Sequence, residues 1–136
     1  MANPPKIQAL DHLVLTVRDL AASIRFYENV LGMELVSFTG ADGHARMALL
    51  FGAHKINLHE AGSEIAPHAS AAVPGSADLC FLSDRSPEDW LAHFSALGCA
   101  VELGPVPRSG ATGPLRSIYL RASSPICRSL PGNRTF

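Results

Sequence analysis

The sequence predicts an α+β fold: two tandem βαβββ modules whose sheets enclose a cavity, with the helices outside and an atypical C-terminal strand. Three observations carry this. A strand followed by a capped amphipathic helix occurs at Leu10–Gly32 and again at Ala77–Gly98. Further strand-like runs separated by turn residues follow each helix. Between the two halves, residues 61–76 are rich in Ala, Pro, Ser and Gly and show no periodicity, as expected of a surface linker. Residues 1–136 are therefore expected to form a single domain, with module one at about 7–60 and module two at about 77–130.

In the first module, Leu13, Leu15 and Val17 alternate with His12, Val14 and Thr16, the period-two pattern of a strand with two different faces. Asp19 is an N-cap residue for a helix with Leu20, Ile24, Tyr27 and Leu31 on one side, and Gly32 stops it. Met33–Thr39 and Ala45–Phe51 flank the turn Gly40-Ala41-Asp42-Gly43 and read as a hairpin. After the break at Gly52-Ala53, Lys55–Glu60 forms a short strand with Ile56 and Leu58 on one face and Asn57 and His59 on the other. Glu60 falls on the face opposite His59.

The second module repeats the order. Ala77–Leu82 reads as a strand, with Leu79 and Phe81 opposed to Asp78 and Cys80. Ser86-Pro87-Glu88-Asp89 is a helix start, with a Ser N-cap and Pro at the first helical position. Trp90, Leu91, Phe94 and Leu97 form the apolar stripe, and Gly98 ends the helix. Ala100–Val106 and Leu115–Arg121 are expected strands joined by a Gly/Pro loop at Pro107–Pro114, with Ile118 and Leu120 opposed to Ser117 and Tyr119. Each module alone leaves one sheet face bare, so the pair is expected to enclose a cavity lined by His12, Asn57, His59, Asp78 and Tyr119.

Composition narrows the function. With 47% hydrophobic and 17% charged residues and a net charge of −1, the chain has no basic field for nucleic acid or an anionic membrane. It contains no run of about 18 apolar residues, and its first residues lack the apolar stretch of a signal peptide, so a cytoplasmic protein is expected. The three cysteines show no CxxC spacing, which points away from a zinc knuckle or a disulfide framework. Cys80 and Cys99 are expected to be small buried apolar residues. His44, His54, His68 and His93 are expected in solvent, and Arg108 and Arg116 at the surface, where either could pair with an anionic substrate.

Leu-Asp-His-Leu-Val-Leu-Thr-Val-Arg-Asp-Leu at 10–20, with Phe26-Tyr27 and Leu31-Gly32-Met33, resembles the first module of the vicinal oxygen chelate superfamily. That superfamily holds glyoxalase I, bleomycin-resistance proteins, fosfomycin-resistance enzymes and extradiol dioxygenases. The runs at 51–60 and 74–81, with Gly104-Pro105-Val106 and 110–114, are similar to a subgroup of glyoxalase domain-containing and virulence-associated proteins. The resemblance implies a divalent metal (Zn, Ni, Fe or Mn) on the first and fourth strands of each module. Its ligands match His12, His59 and Asp78, and the fourth-strand position of module two falls on Ser129 where relatives carry Glu. Two imidazoles and one carboxylate suit a zinc site with open positions, or ferrous iron. Pro125 and Pro131 in the divergent tail disfavour a regular last strand.

The implied activity is that of a lactoylglutathione lyase-like metalloenzyme, a lyase or isomerase in which the cation stabilises an oxyanion of a small substrate with vicinal oxygens. Asn57, Phe81 and Tyr119 are the expected substrate contacts, and no catalytic acid or base is assigned. The alternatives are a metal-free antibiotic-binding protein of the bleomycin-resistance type and an extradiol-type dioxygenase. A homodimer is implied by the same resemblance.

Overall fold

The computed structural model describes residues 3–122 and the backbone of 133–135. Two four-stranded sheets form, one from each half, and they do not close on each other. In the first, β1 (Leu13–Val17) lies parallel to β4 (His54–Glu60), followed by β3 (Ala45–Phe51) and β2 (Glu34–Thr39) in antiparallel order. In the second, β5 (Asp78–Leu79) runs parallel to β8 (Asn133–Thr135), next to β7 (Pro114–Ala122) and the edge strand β6 (Leu103–Ser109). The two halves thus share one order of strands.

Helix α1 (Leu20–Arg25) starts where the Asp19 carboxylate accepts from the Ala22 N–H at 3.0 Å. A second carboxylate joins it: Glu60, at the end of β4, accepts from the Leu20 N–H at 3.0 Å. Both satisfy donors that a helix start leaves unpaired. The helix expected between Asp19 and Gly32 is only partly α, because Phe26–Val30 continue it as a π-helical segment. Phe26 and Tyr27, adjacent in sequence, are both buried and meet edge to face, with ring centroids 5.2 Å apart. In the second half, Ser86 Oγ accepts from the Asp89 N–H at 3.1 Å and Pro87 opens α2 (Pro87–Ala96), as the sequence predicts.

One hydrophobic core joins the helix-bearing faces of both sheets. Leu15, Val17, Ile56 and Leu58 enter it from the first sheet, Ile118 and Leu120 from the second, and Phe26, Tyr27, Val30 and Phe94 from the helices. Phe51 and Phe81 add an edge-to-face contact between the two halves at 5.2 Å.

Several expectations need correction. The strand expected at Ala77–Leu82 is only Asp78–Leu79, and the one expected at Ala100–Val106 lies at Leu103–Ser109. The Gly/Pro loop shrinks to 110–113, since β6 runs through Pro105 and Pro107; an edge strand tolerates prolines because one side of its ladder is unpaired. Cys80 is exposed, not buried, because β5 ends before it. Cys99 is buried, but it is also disulfide-bonded. Leu97 is 37% exposed at the helix end. The His93 ring reaches the Val30 carbonyl at 2.9 Å, tying α2 to the π-helical segment.

Candidate functional site

Strand alternation that sends Leu15, Val17, Ile56 and Leu58 into the core turns Thr16, Asn57 and His59 to the other face of the first sheet. The parallel register pairs Val14 with Asn57 and Thr16 with His59, and β3 sets Ala48 beside Asn57. Thr16, Ala48 and His59 are buried there. On the strands of this sheet, the buried atoms Asn57 Oδ1, His59 Nδ1 and Arg46 Nε have no hydrogen-bond partner among the described residues. Such groups cost about 1–3 kcal/mol each when left unsatisfied, so their clustering marks a place prepared for another polar group.

Arg46 is held rather than loose. Its Nη2 donates to Asp42 at 3.1 Å, and its side chain lies across Gly40, where a Cβ would stand 2.4 Å from Nε. Burial pushes the His59 imidazole below its ordinary value of 6.5, and the charges of Arg46 and His68 add to that against the opposing pull of Glu64. His59 is therefore neutral at pH 7, with one ring nitrogen able to donate and the other to accept. Sequence reading puts Thr16 on this face but not in the site, and Arg46 escapes it, although the strand parity that places Asn57 and His59 also places Arg46.

His12 precedes β1, is 39% exposed, and its Nδ1 lies 2.7 Å from Asp11. Since Leu13 is level with Ile56, His12 falls near the level of Lys55, four residues short of His59. At about 3.3 Å per residue that is an offset of about 13 Å. Asn57 lies nearer, two residues away in register. Asp78 opens β5 in the other sheet and is exposed. Among the described residues, no group of three or more His, Cys, Asp or Glu is placed to hold a metal ion. Ser129 lies outside the described residues. The strand beside Asp78 is β8, which pairs Asp78 with Arg134 and whose sequence, Asn-Arg-Thr, has no carboxylate.

On the second sheet a groove of about 510 Å³ is lined by Asp78, Cys80, Arg108, Ser117, Tyr119 and the loop 109–112. The Tyr119 hydroxyl accepts from Arg108 Nε at 3.0 Å. Phe81 instead lines an adjoining pocket of about 290 Å³ and packs on Phe51. Of the expected surface arginines, Arg116 is paired with Glu88 at 2.6 Å, whereas Arg108 borders the groove.

Among known proteins, virulence protein STM3117 of Salmonella typhimurium (strain LT2) is 49% identical over 115 residues, which is 85% of this chain and 77% of that protein. Its crystal structure matches with a TM-score of 0.82 at 44% identity, covering 96% of this chain and 95% of the other. The glyoxalase domain-containing protein RDO1 of Mycosarcoma maydis is 47% identical over 115 residues, 85% of this chain but only 62% of that longer protein. The integron cassette protein VCH_CASS1 from the mobile metagenome of V. cholerae matches with a TM-score of 0.84 at 46% identity, covering 98% of this chain and 95% of that one. A family model matches residues 9–114, and the chain belongs to the Glyoxalase/Bleomycin resistance protein/Dioxygenase superfamily.

Proposed function

We propose that the protein binds an oxygen-bearing small molecule on the polar faces of its two sheets, as a homodimer in the cytoplasm. The observation that carries this reading is the set of buried, unpartnered polar atoms on Arg46, Asn57 and His59. A ligand hydroxyl placed there would accept from Arg46 and donate to Asn57 Oδ1, and a ligand carbonyl would accept from Arg46, with His59 able to donate or accept. Superfamily membership supports small-molecule binding in general. Val14, an apolar side chain 46% exposed on the same face, suits a surface covered by a second copy.

The described residues of one chain do not fit a resident divalent cation. His12 and His59 stand at different levels of the sheet, and Asp78 is on the other sheet. The proposed chemistry therefore uses the chain's own donors and acceptors. A second reading, the metal-dependent lyase or isomerase acting on vicinal oxygens, is favoured by the neutral buried imidazole of His59, the form a cation requires. Asp78, Phe81 and Tyr119 would then contribute from the second module.

Metal content after purification without chelator, combined with calorimetric titration of a panel of hydroxyketones, catechols and hydroxy acids in EDTA, separates the readings. Binding is expected to persist in EDTA and to weaken about tenfold in Asn57→Ala or His59→Ala, the equivalent of about 1.4 kcal/mol. Stoichiometric metal that disappears in the His12→Ala, His59→Ala double variant, with binding that requires it, would overturn the proposal in favour of the lyase.

A further inference from the structure

The groove on the second sheet holds an arginine whose position and lack of a counter-charge define a ligand chemistry. Arg46, Arg85, Arg116 and Arg121 each pair with a carboxylate: Asp42, Asp89, Glu88 and Glu102 respectively. Arg108 has no carboxylate partner among the described residues. Neutral groups hold it instead: Nε donates to the Tyr119 hydroxyl at 3.0 Å and Nη1 to its own neighbour's carbonyl, Pro107 O, at 2.8 Å. Its guanidinium carbon also stands 5.5 Å from the centre of the Tyr119 ring.

Two neutral acceptors and an aromatic face orient the guanidinium without neutralising it, and its Nη2 is left with no partner among the described residues. A planar fork fixed in this way is suited to a bidentate oxyanion. The groove, at about 510 Å³, is the size of a small-molecule site. Asp78 also lines it, which disfavours a strongly anionic occupant.

We propose that the groove formed by Asp78, Arg108, Ser117 and Tyr119 is an oxyanion site, in which Arg108 binds the carboxylate or phosphoryl group of a small ligand and Tyr119 positions Arg108. This deepens the small-molecule reading above, which rests on the first sheet, and the two can fail separately.

The test is calorimetric titration of the full chain with lactate, malonate, inorganic phosphate and methylphosphonate, in EDTA and at two salt concentrations. At least one anion is expected to bind, more weakly at higher salt. Arg108→Gln is expected to raise its dissociation constant about tenfold or more. Arg108→Lys, which keeps the charge and loses the fork, is expected to fall between the two. Tyr119→Phe is expected to weaken binding on the order of threefold while leaving the salt dependence in place. Arg116→Gln, outside the groove, should change nothing. Which anions bind distinguishes a carboxylate from a phosphoryl ligand. Equal affinity in the wild type and Arg108→Gln, or no binding by any anion in the panel, overturns the proposal. His59→Ala is expected to leave anion binding intact; if it abolishes binding while Arg108→Gln does not, the anion belongs to the first sheet and the proposal is wrong.

Discussion

Gly104 offers a direct test of how β6 and β7 shape the second-sheet groove. Its φ is +112°, a region that L side chains rarely adopt, and a Cβ there would stand 2.3 Å from Ser117 O and 3.0 Å from Ile118 Cα. Both are backbone atoms of β7, so no rotamer change relieves the clash. The ladder already shifts register between Leu103 and Val106, where the glycine sits. Gly104→Ala adds backbone strain of about 1–3 kcal/mol and an overpacking cost of about 1–3 kcal/mol. A total of about 2–6 kcal/mol, at about 4 °C per kcal/mol for a chain of this length, lowers Tm by about 8–24 °C.

Gly98→Ala is the control. Its φ is +71°, but a Cβ there meets nothing within 4 Å, so it carries strain without the clash. Its expected cost is about 1 kcal/mol, a fall of about 4 °C. Thermal melts followed by circular dichroism measure both. If Gly104→Ala melts within a degree or two of Gly98→Ala, the close approach to Ser117 does not limit the sheet, and the reasoning fails.

Two further predictions concern the first module. His59 is held below its ordinary 6.5, so the unfolded chain binds more protons at that position than the folded one as pH falls below that value. Its contribution to stability is complete above 6.5 and is lost as pH drops from there through the folded value. Urea unfolding across this range should therefore show a steeper acid loss in wild type than in His59→Gln, and equal slopes would contradict the assigned shift. Asp19→Ala removes the acceptor for the Ala22 N–H and is expected to cost about 1 kcal/mol in urea unfolding. Combining it with Glu60→Gln, which weakens the bond from Leu20 N–H, should cost more than Asp19→Ala alone.

Elements whose signals are local were legible in the sequence. Asp19 and Ser86 cap as their types predict, and Ala45–Phe51 has the expected bounds. Elements whose bounds depend on a neighbour were not. Pro107 looks like the start of a loop until β6 is known to be an edge strand, and edge position is a property of sheet order, which no local pattern encodes. Cys80 looks like a core residue only if the strand that carries it is long. The end of β5 at Leu79 exposes it.

The site shows the same division between face and level. Period-two alternation assigns Thr16, Asn57 and His59 to one face, and the structure agrees. Alternation says nothing about how far along the neighbouring strand a residue stands, because a slip of two residues preserves every face. Pairing His12 with His59 satisfies parity, yet the β1–β4 register separates them by four residues and leaves Asn57 closer to His12. The residues brought together with His59 are instead Thr16, across the register, and Arg46 and His68, whose charges depress its pKa. A neutral imidazole beside an arginine favours ligand oxygens over a cation, since Arg46, although paired with Asp42 at 3.1 Å, still depresses the His59 pKa and would weaken the hold on an ion that His59 could otherwise bind. This electrostatic conflict, more than the divergent tail, separates the two functional readings, and an Arg46→Gln variant that gains metal affinity would show that it does.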